Sequence, residues 1–363
     1  MRAVVLRGTD DLAVLDVPVP KIGPGWALVR MTHCGICGSD IRYLHGDNPW
    51  AKQTLGEKHE NPTNIILGHE VTGVVERVGE ACCEDVIGKR VAILAFGTCG
   101  ECIHCKRGEE NLCSDTQHLG HGAGWGGPGV SGSRNIGGMA EYVPVRANWA
   151  VPLSENVTNE AGALLDPLGV AVHAVRKAGV QGGDVLLIIG AGAVGQLAIQ
   201  VARAYGAANV ILIDLCEPVL EVALRMGADH ALNPATNDVA GIVKEGSAGL
   251  GARAILDTVG ARLADYLPLL ARGGRYVTMT VTDEPQELRT VALAGERSIT
   301  SSCNFQYPDY HEALSLLEQG KVDGSPIITH RFPLDRAIKA FRAAEDKSAS
   351  GAVKVLLSTD EHG

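Results

Sequence analysis

Aromatic side chains are scarce in this chain. Four Trp, seven Tyr and four Phe make up 4% of 363 residues. An aromatic-cored β-sandwich is not expected from that composition. No apolar run approaches the roughly 20 residues of a membrane-spanning helix, so no membrane role is expected. Positive charge is in deficit, with 32 Lys and Arg against 42 Asp and Glu and a net charge of −10. That balance argues against a nucleic-acid surface, and simple solubility accounts for it. The opening Met1-Arg2-Ala3-Val4-Val5-Leu6-Arg7 lacks the apolar stretch of a secretion signal, and no internal repeat is evident. Ten cysteines without such a signal point to a reducing, cytoplasmic compartment and to metal ligation rather than disulfides.

Glycine, by contrast, is abundant at 45 residues, and hydrophobic residues reach 45%. The mixture suits an α/β protein rich in glycine turns, and the length suggests two domains. The first third reads as β-rich. Val4–Leu6, Leu12–Leu15, Trp26–Val29, Val71–Val75 and Arg90–Ile93 are short apolar runs between Gly and Pro punctuation. Loops at 45–64 (containing Trp50) and 119–138 (containing Trp125) interrupt them. From about residue 156 continuous apolar strands alternate with helices: Val185–Ile189, Val210–Asp214, Ala254–Asp257 and Arg275–Met279. That alternation predicts a doubly wound parallel sheet. After residue 300 the alternation stops, and the tail is too short to form a domain. The expected organisation is therefore a β-rich domain of 1–155 completed by 300–363, around a sheet domain of 156–299.

Between the first long strand and its helix lies Gly190-Ala191-Gly192-Ala193-Val194-Gly195. Gly190 suits a tight turn, Gly192 a backbone close to a pyrophosphate, and Gly195 close packing of helix on strand. Asp214 ends the next strand, where a carboxylate accepts hydrogen bonds from an adenosine ribose and repels a 2′-phosphate. The alternative for Asp214 is a helix cap. Together these residues predict an NAD site.

Cys99, Cys102, Cys105 and Cys113 stand within fifteen residues, at spacings that close a tetrahedral thiolate shell around zinc. An iron–sulfur cluster is the rival reading, but no proline follows Cys113 and no second cysteine run is present. Separately, Cys37 lies in Gly35–Asp40, and His69 and Glu70 follow Gly68. A thiolate, an imidazole and a carboxylate from separate segments could hold a second zinc with an open position.

These segments, with Leu165–His173 and Thr329–Leu334, occur in the order found in one family. The chain resembles the zinc-dependent medium-chain dehydrogenase/reductase superfamily, which includes alcohol, sorbitol and threonine dehydrogenases. The resemblance implies a GroES-like β-rich catalytic domain and a Rossmann coenzyme domain with the active site in the cleft. It also implies two zinc ions per subunit and hydride transfer from a secondary alcohol to NAD. It implies catalytic zinc on Cys37 and His69, with Glu70 approaching the metal. The resemblance also implies a carboxylate donor close to that zinc at Asp166, where the family usually has a Glu, one methylene longer. Ser39 matches the hydroxyl that begins the proton relay. Arg42 replaces the usual His, which leaves His45, Glu70 or water as exits, because Arg stays charged. Asp40 reads as a turn residue, Cys34 as packing, His104 as a possible substitute ligand and His173 as a helix residue.

Leu316–Val322 and Thr329–Leu334 resemble the sorbitol dehydrogenase branch. A polyol, sugar alcohol or cyclitol is thus the first expected substrate class. Threonine 3-dehydrogenase activity follows, on Asp47–Gln53, and then simple alcohol oxidation. A non-catalytic NAD- and zinc-binding protein is the alternative of another class. The resemblance also implies a homotetramer, with a dimer as the smaller possibility. The 119–138 loop fits none of these patterns and is expected to lid the site or touch another subunit. Substrate choice is expected to rest on side chains near Trp50, Trp125, Asn304 and Tyr307.

Overall fold

A computed structural model describes residues 1–122, 125, 130, 136–282 and 284–359. The chain forms two compact units. One comprises Met1–Asp166 together with the C-terminal segment from Ile328, and the other comprises Pro167–Ile327. The chain therefore changes unit at 166/167 and 327/328, not at 155/156 and 299/300. The physical reason is pairing and packing. Ser298–Ser301 extends the parallel sheet of the second unit, and the helix Tyr307–Glu318 is tied to that unit by Asp309 and Glu312.

The first unit is built on a seven-stranded sheet. In spatial order its main path runs Ala150–Pro152, Arg90–Ile93, Glu70–Val78, Trp26–Ile36, Lys354–Ser358 and Ile328–Pro333. Tyr142–Arg146 also pairs with Trp26–Ile36. Trp26–Ile36 is the hub, eleven residues long and buried at most positions. Its far end sets the site, because Gly35 pairs with Glu70 on one side and with Leu356 on the other. A smaller sheet joins Arg2–Gly8 to Asp11–Asp16 and Ile65–Ile66.

The second unit holds a six-stranded sheet whose pairs are all parallel. Its order is His230–Leu232, Asn209–Ile213, Val185–Ile189, Ala252–Asp257, Leu270–Thr278, Ser298–Ser301. Read along the chain, that is the order 3-2-1-4-5-6, which reverses beside the first strand and makes a crevice at the carboxyl ends. Val185–Ile189 is buried throughout, as a strand covered by helices on both faces must be.

Most of the 119–138 loop (123–124, 126–129 and 131–135) lies outside the described residues. Trp125 corrects one expectation. It is 1% exposed, donates to the Pro144 carbonyl at 2.9 Å and packs on Trp149. It is a core residue, not a substrate-facing one. No helix among the described residues is long and apolar enough to cross a membrane.

Candidate active site

The sulfurs of Cys99, Cys102, Cys105 and Cys113 lie within 4.8 Å of one another. The Cys99–Cys105, Cys102–Cys105 and Cys99–Cys113 separations are 3.8, 3.5 and 3.6 Å. Four sulfurs each about 2.3 Å from a zinc ion make a tetrahedron with edges of about 3.8 Å. Those three separations match that edge, so the quartet fits zinc. Local hydrogen bonds hold it there. Cys102 N–H donates to Cys99 Sγ and Cys105 N–H to Cys102 Sγ, both at 3.4 Å, which orients and stabilises thiolates. Those from Glu101 and Cys102 bring the Cys99 thiol down to about 7, whereas burial pushes Cys113 up to about 12. His104 takes no part in the group and pairs with Glu109 at 2.9 Å. With four thiolates the shell is closed, and no position remains for a substrate.

The second cluster is assembled by sheet register. Glu70 sits opposite Gly35, and its side chain crosses that glycine. A Cβ at residue 35 would overlap Glu70 Oε2. Two residues on, the strand ends and Cys37 caps the short helix Gly38–Leu44. His69 precedes Glu70, so Cys37, His69 and Glu70 present ligand atoms within 4.8 Å of one another. Three donors of this kind leave a fourth position of a zinc shell open. Asp166, in the first turn of the helix Leu165–Ala178, does not join the group. It is near enough to feel the charges of His69 and Glu70, and burial raises it to about 6.

Asp40 does more than stabilise its turn. One carboxylate oxygen accepts from Cys37 N–H at 2.8 Å and the other from Gly68 N–H at 3.1 Å. It therefore clamps together the two segments that carry Cys37 and His69, and lies 3.9 Å from His69 Nδ1. Burial disfavours a charged His69, but the Cys37 contact and the Asp40 charge outweigh it and raise the imidazole well above its ordinary value. Ser39 Oγ is buried with no hydrogen-bond partner among the described residues. Cys34 is fully buried, and desolvation keeps its thiol protonated, as befits a packing residue.

Three residues of this cluster carry no motif in the sequence. Lys354 is buried and donates from Nζ to both Glu70 oxygens, at 2.7 and 2.5 Å, and to the Ile36 carbonyl at 3.1 Å. His121 packs edge-on against His69 with ring centroids 4.7 Å apart. His118 stacks between Phe96 and His121. Burial takes His118 down to about 3 and His121 well below its ordinary value. A lysine inside the apolar run Val353–Leu357 was the one available signal, since a cation there requires a buried partner.

Two expected relay positions are otherwise engaged. Arg42 is paired with Asp47 at 2.6 Å. His45 contacts Asp10 at 2.6 Å and Glu345 at 2.5 Å, with 46% of its side chain exposed. His173 belongs to the second unit and meets buried Asp309 at 2.7 Å.

In the second unit, Gly190 follows Val185–Ile189 with φ +103°, in the region that favours glycine. A Cβ there would overlap Thr258, and one at Gly195 would overlap the Gly190 carbonyl. Gly192 caps the helix Ala193–Ala204, so Ala193 and Val194 open it. That N-terminus is a ready anion site. Asp214 follows Asn209–Ile213, and each carboxylate oxygen accepts one backbone N–H: Ala191 at 2.7 Å and Cys216 at 2.9 Å. The acid thus fixes the glycine turn itself, and each oxygen keeps a further lone pair. These residues fit a dinucleotide.

Residues 23–155 match the family model of the alcohol dehydrogenase GroES-like domain, and residues 193–319 match that of zinc-binding dehydrogenase. Human sorbitol dehydrogenase is 32% identical, over 99% of this chain and 96% of the human one. A probable D-xylulose reductase A of Aspergillus terreus is 32% identical, over 98% and 97%. Among solved structures, one described as a short chain alcohol dehydrogenase of Escherichia coli CFT073, in complex with NADH, superposes with a TM-score of 0.86 at 26% identity, over 99% of both chains. With likeness of this extent in both units, the chain belongs to the zinc-dependent medium-chain dehydrogenase/reductase superfamily.

Proposed function

We propose that this protein oxidises a secondary hydroxyl of a polyol, sugar alcohol or cyclitol, with NAD⁺ as hydride acceptor. One observation carries the reading: Cys37, His69 and Glu70 converge as an open donor set, apart from a closed quartet that has no catalytic vacancy. The relatives named for sorbitol and xylulose support the substrate class, and the NADH-bound neighbour supports the coenzyme.

Cys37 and His69 would hold the catalytic zinc, with Glu70 as third donor and Asp166 close by. Gly190, Gly192, Ala193, Val194 and Gly195 would cradle the pyrophosphate, and Asp214 the adenosine ribose. When bound, zinc lowers the pKa of the alcohol hydroxyl and the nicotinamide accepts the hydride. Asp40 holds Cys37 and Gly68 in register, so both donor segments are fixed before substrate arrives. Ser39 Oγ, buried and without a hydrogen-bond partner among the described residues, takes up the hydroxyl proton as it releases its own outward. The route beyond Ser39 avoids Arg42, which stays charged and is paired with Asp47. It also avoids His45, whose two ring nitrogens face Asp10 and Glu345.

Two thiolate-bearing metal clusters support work in a reducing cytoplasm, and the family resemblance supports a homotetramer. Sedimentation or mass photometry would measure the assembly. The function is tested by Cys37→Ser. The variant should keep the quartet's zinc and its fold but lose NADH production on every polyol and alcohol. Retained turnover would sink both the metal reading and the assignment of Cys37. A wild-type enzyme that oxidises no alcohol would favour a non-catalytic role.

A further inference from the structure

His121 is held in place by its neighbours. It lies between Gly120 and Gly122, both with positive φ (74° and 65°). A Cβ at residue 120 would overlap the backbone of Gly68, the residue before His69. The segment is thus pressed onto the turn that carries the metal-site histidine. Three rings then fix the imidazole: Tyr43 at 5.2 Å, His118 stacked at 5.2 Å, and His69 edge-on at 4.7 Å. Despite this, neither His121 nitrogen has a hydrogen-bond partner among the described residues, and both are buried. A ring so firmly placed with both polar atoms unused is costly unless a ligand satisfies them.

The same residue lines a cavity of 520 Å³, together with Trp50, His59, Glu60 and Pro62. That volume lies within the range of small-molecule sites. An aromatic face and polar groups of both hydrogen-bonding types suit a chain of alternating C–H and O–H. Asn48, also on the wall, is already engaged by Tyr43 and Ala51, so it is a weaker candidate for contact with a ligand. His121 therefore touches both His69 of the donor set and the cavity.

We propose that His121 is a specificity residue that hydrogen-bonds the hydroxyl next to the reacting carbon, so that the enzyme selects vicinal diols and directs the rest of a polyol into this cavity. The inference rests on the alcohol-oxidising reading above. In that reading Ser39, Cys37, His69 and Glu70 handle the reacting hydroxyl, and none reads its neighbour.

The test compares butane-2,3-diol with butan-2-ol, which differ by that one hydroxyl, using zinc-loaded enzyme and NAD⁺. The wild type should favour the diol in kcat/KM. His121→Phe keeps the ring contacts and removes the nitrogens. It should lose about 30-fold or more on the diol, since a site built for a hydroxyl discriminates strongly, while butan-2-ol stays within about threefold. His121→Gln, with its own donor and acceptor, should recover part of the loss. Calorimetric affinity of the diol for the enzyme–NADH complex should fall in parallel in His121→Phe, and zinc per chain should not change.

Equal losses on both alcohols, no loss on the diol, or reduced zinc would each overturn the proposal and leave the dehydrogenase reading intact. A wild type with no preference for the diol would do the same without any variant. A wild type that oxidises sugar alcohols but neither butane substrate would overturn the proposal alone, and one that oxidises no alcohol would remove the dehydrogenase reading with it.

Discussion

Lys354 Nζ lies 2.7 and 2.5 Å from the two carboxylate oxygens of Glu70, with both side chains removed from solvent. The pair joins residues 284 positions apart, one on each side of the strand Trp26–Ile36. It couples the last strand of the chain to a candidate metal donor. Burial alone would strip the proton from Lys354, but the neighbouring Glu70 charge keeps it bound. The ammonium therefore both neutralises Glu70 and sets where its carboxylate points. Metal donors are commonly oriented in this way by groups that do not themselves touch the ion.

Breaking one side of such a pair leaves a buried charge uncompensated. Lys354→Met should destabilise the protein by about 3–5 kcal/mol, read as a lower denaturant midpoint. Adding Glu70→Gln to that variant should recover part of the loss, because the orphaned charge is then gone. Independent, additive effects of the two changes would show that the pair is not energetically coupled.

The two metal clusters should separate cleanly. Cys113 is buried in the quartet and pairs with Cys99 at 3.6 Å. In Cys113→Ser, elemental analysis should find one zinc fewer per chain, and the melting temperature should fall with a loss of ~3 kcal/mol or more, since structural zinc binding is folding free energy. The folded fraction should keep most of its kcat. A loss of kcat at full stability would instead place the quartet in the chemistry.

Asp214 supports two functions with one carboxylate. Its Oδ2 holds the Ala191 N–H at 2.7 Å, inside the glycine turn. Asp214→Ala should raise the NADP⁺/NAD⁺ ratio of kcat/KM by about tenfold or more, equivalent to about 1.4 kcal/mol. It should also lower stability by roughly 1–3 kcal/mol, as the amide loses its acceptor. An unchanged coenzyme ratio would leave Asp214 as a turn-fixing residue only.

Much of the framework was legible because its signals are local. Val185–Ile189 was bounded by its apolar run alone, since a strand buried on both faces leaves no polar interruption. The glycine turn and the cysteine quartet were readable for the same reason, as their chemistry fits within a few residues. Elements that depend on distant partners were not. His230–Leu232 is only three residues long and exists through pairing with Asn209–Ile213. Leu270–Thr278 starts five residues before the expected Arg275, carried through Gly273 by a register shift against Ala252–Asp257. Lys354 and His121 share this limit. Their meaning lies in Glu70 and His69, which the fold supplies and no local pattern announces.

His45 offers a pH test away from both metal clusters. It caps the helix Gly38–Leu44 and bridges Asp10 to Glu345 near the end of the helix Ala337–Glu345. Hydrogen bonds to Asp10 and then Glu345 raise its pKa above the ordinary value. The folded state thus binds this proton more tightly than the unfolded chain. The resulting stabilisation is fully present below about pH 6.5, the unfolded value. It is lost as pH rises through the raised folded value. With the ring half exposed, the effect should stay below about 1 kcal/mol. His45→Gln should therefore be less stable than the wild type at pH 5.5, and the gap should narrow by pH 9. Urea unfolding at the two pH values measures it, and a gap that widens with pH would mean that the bridge does not depend on the protonated ring.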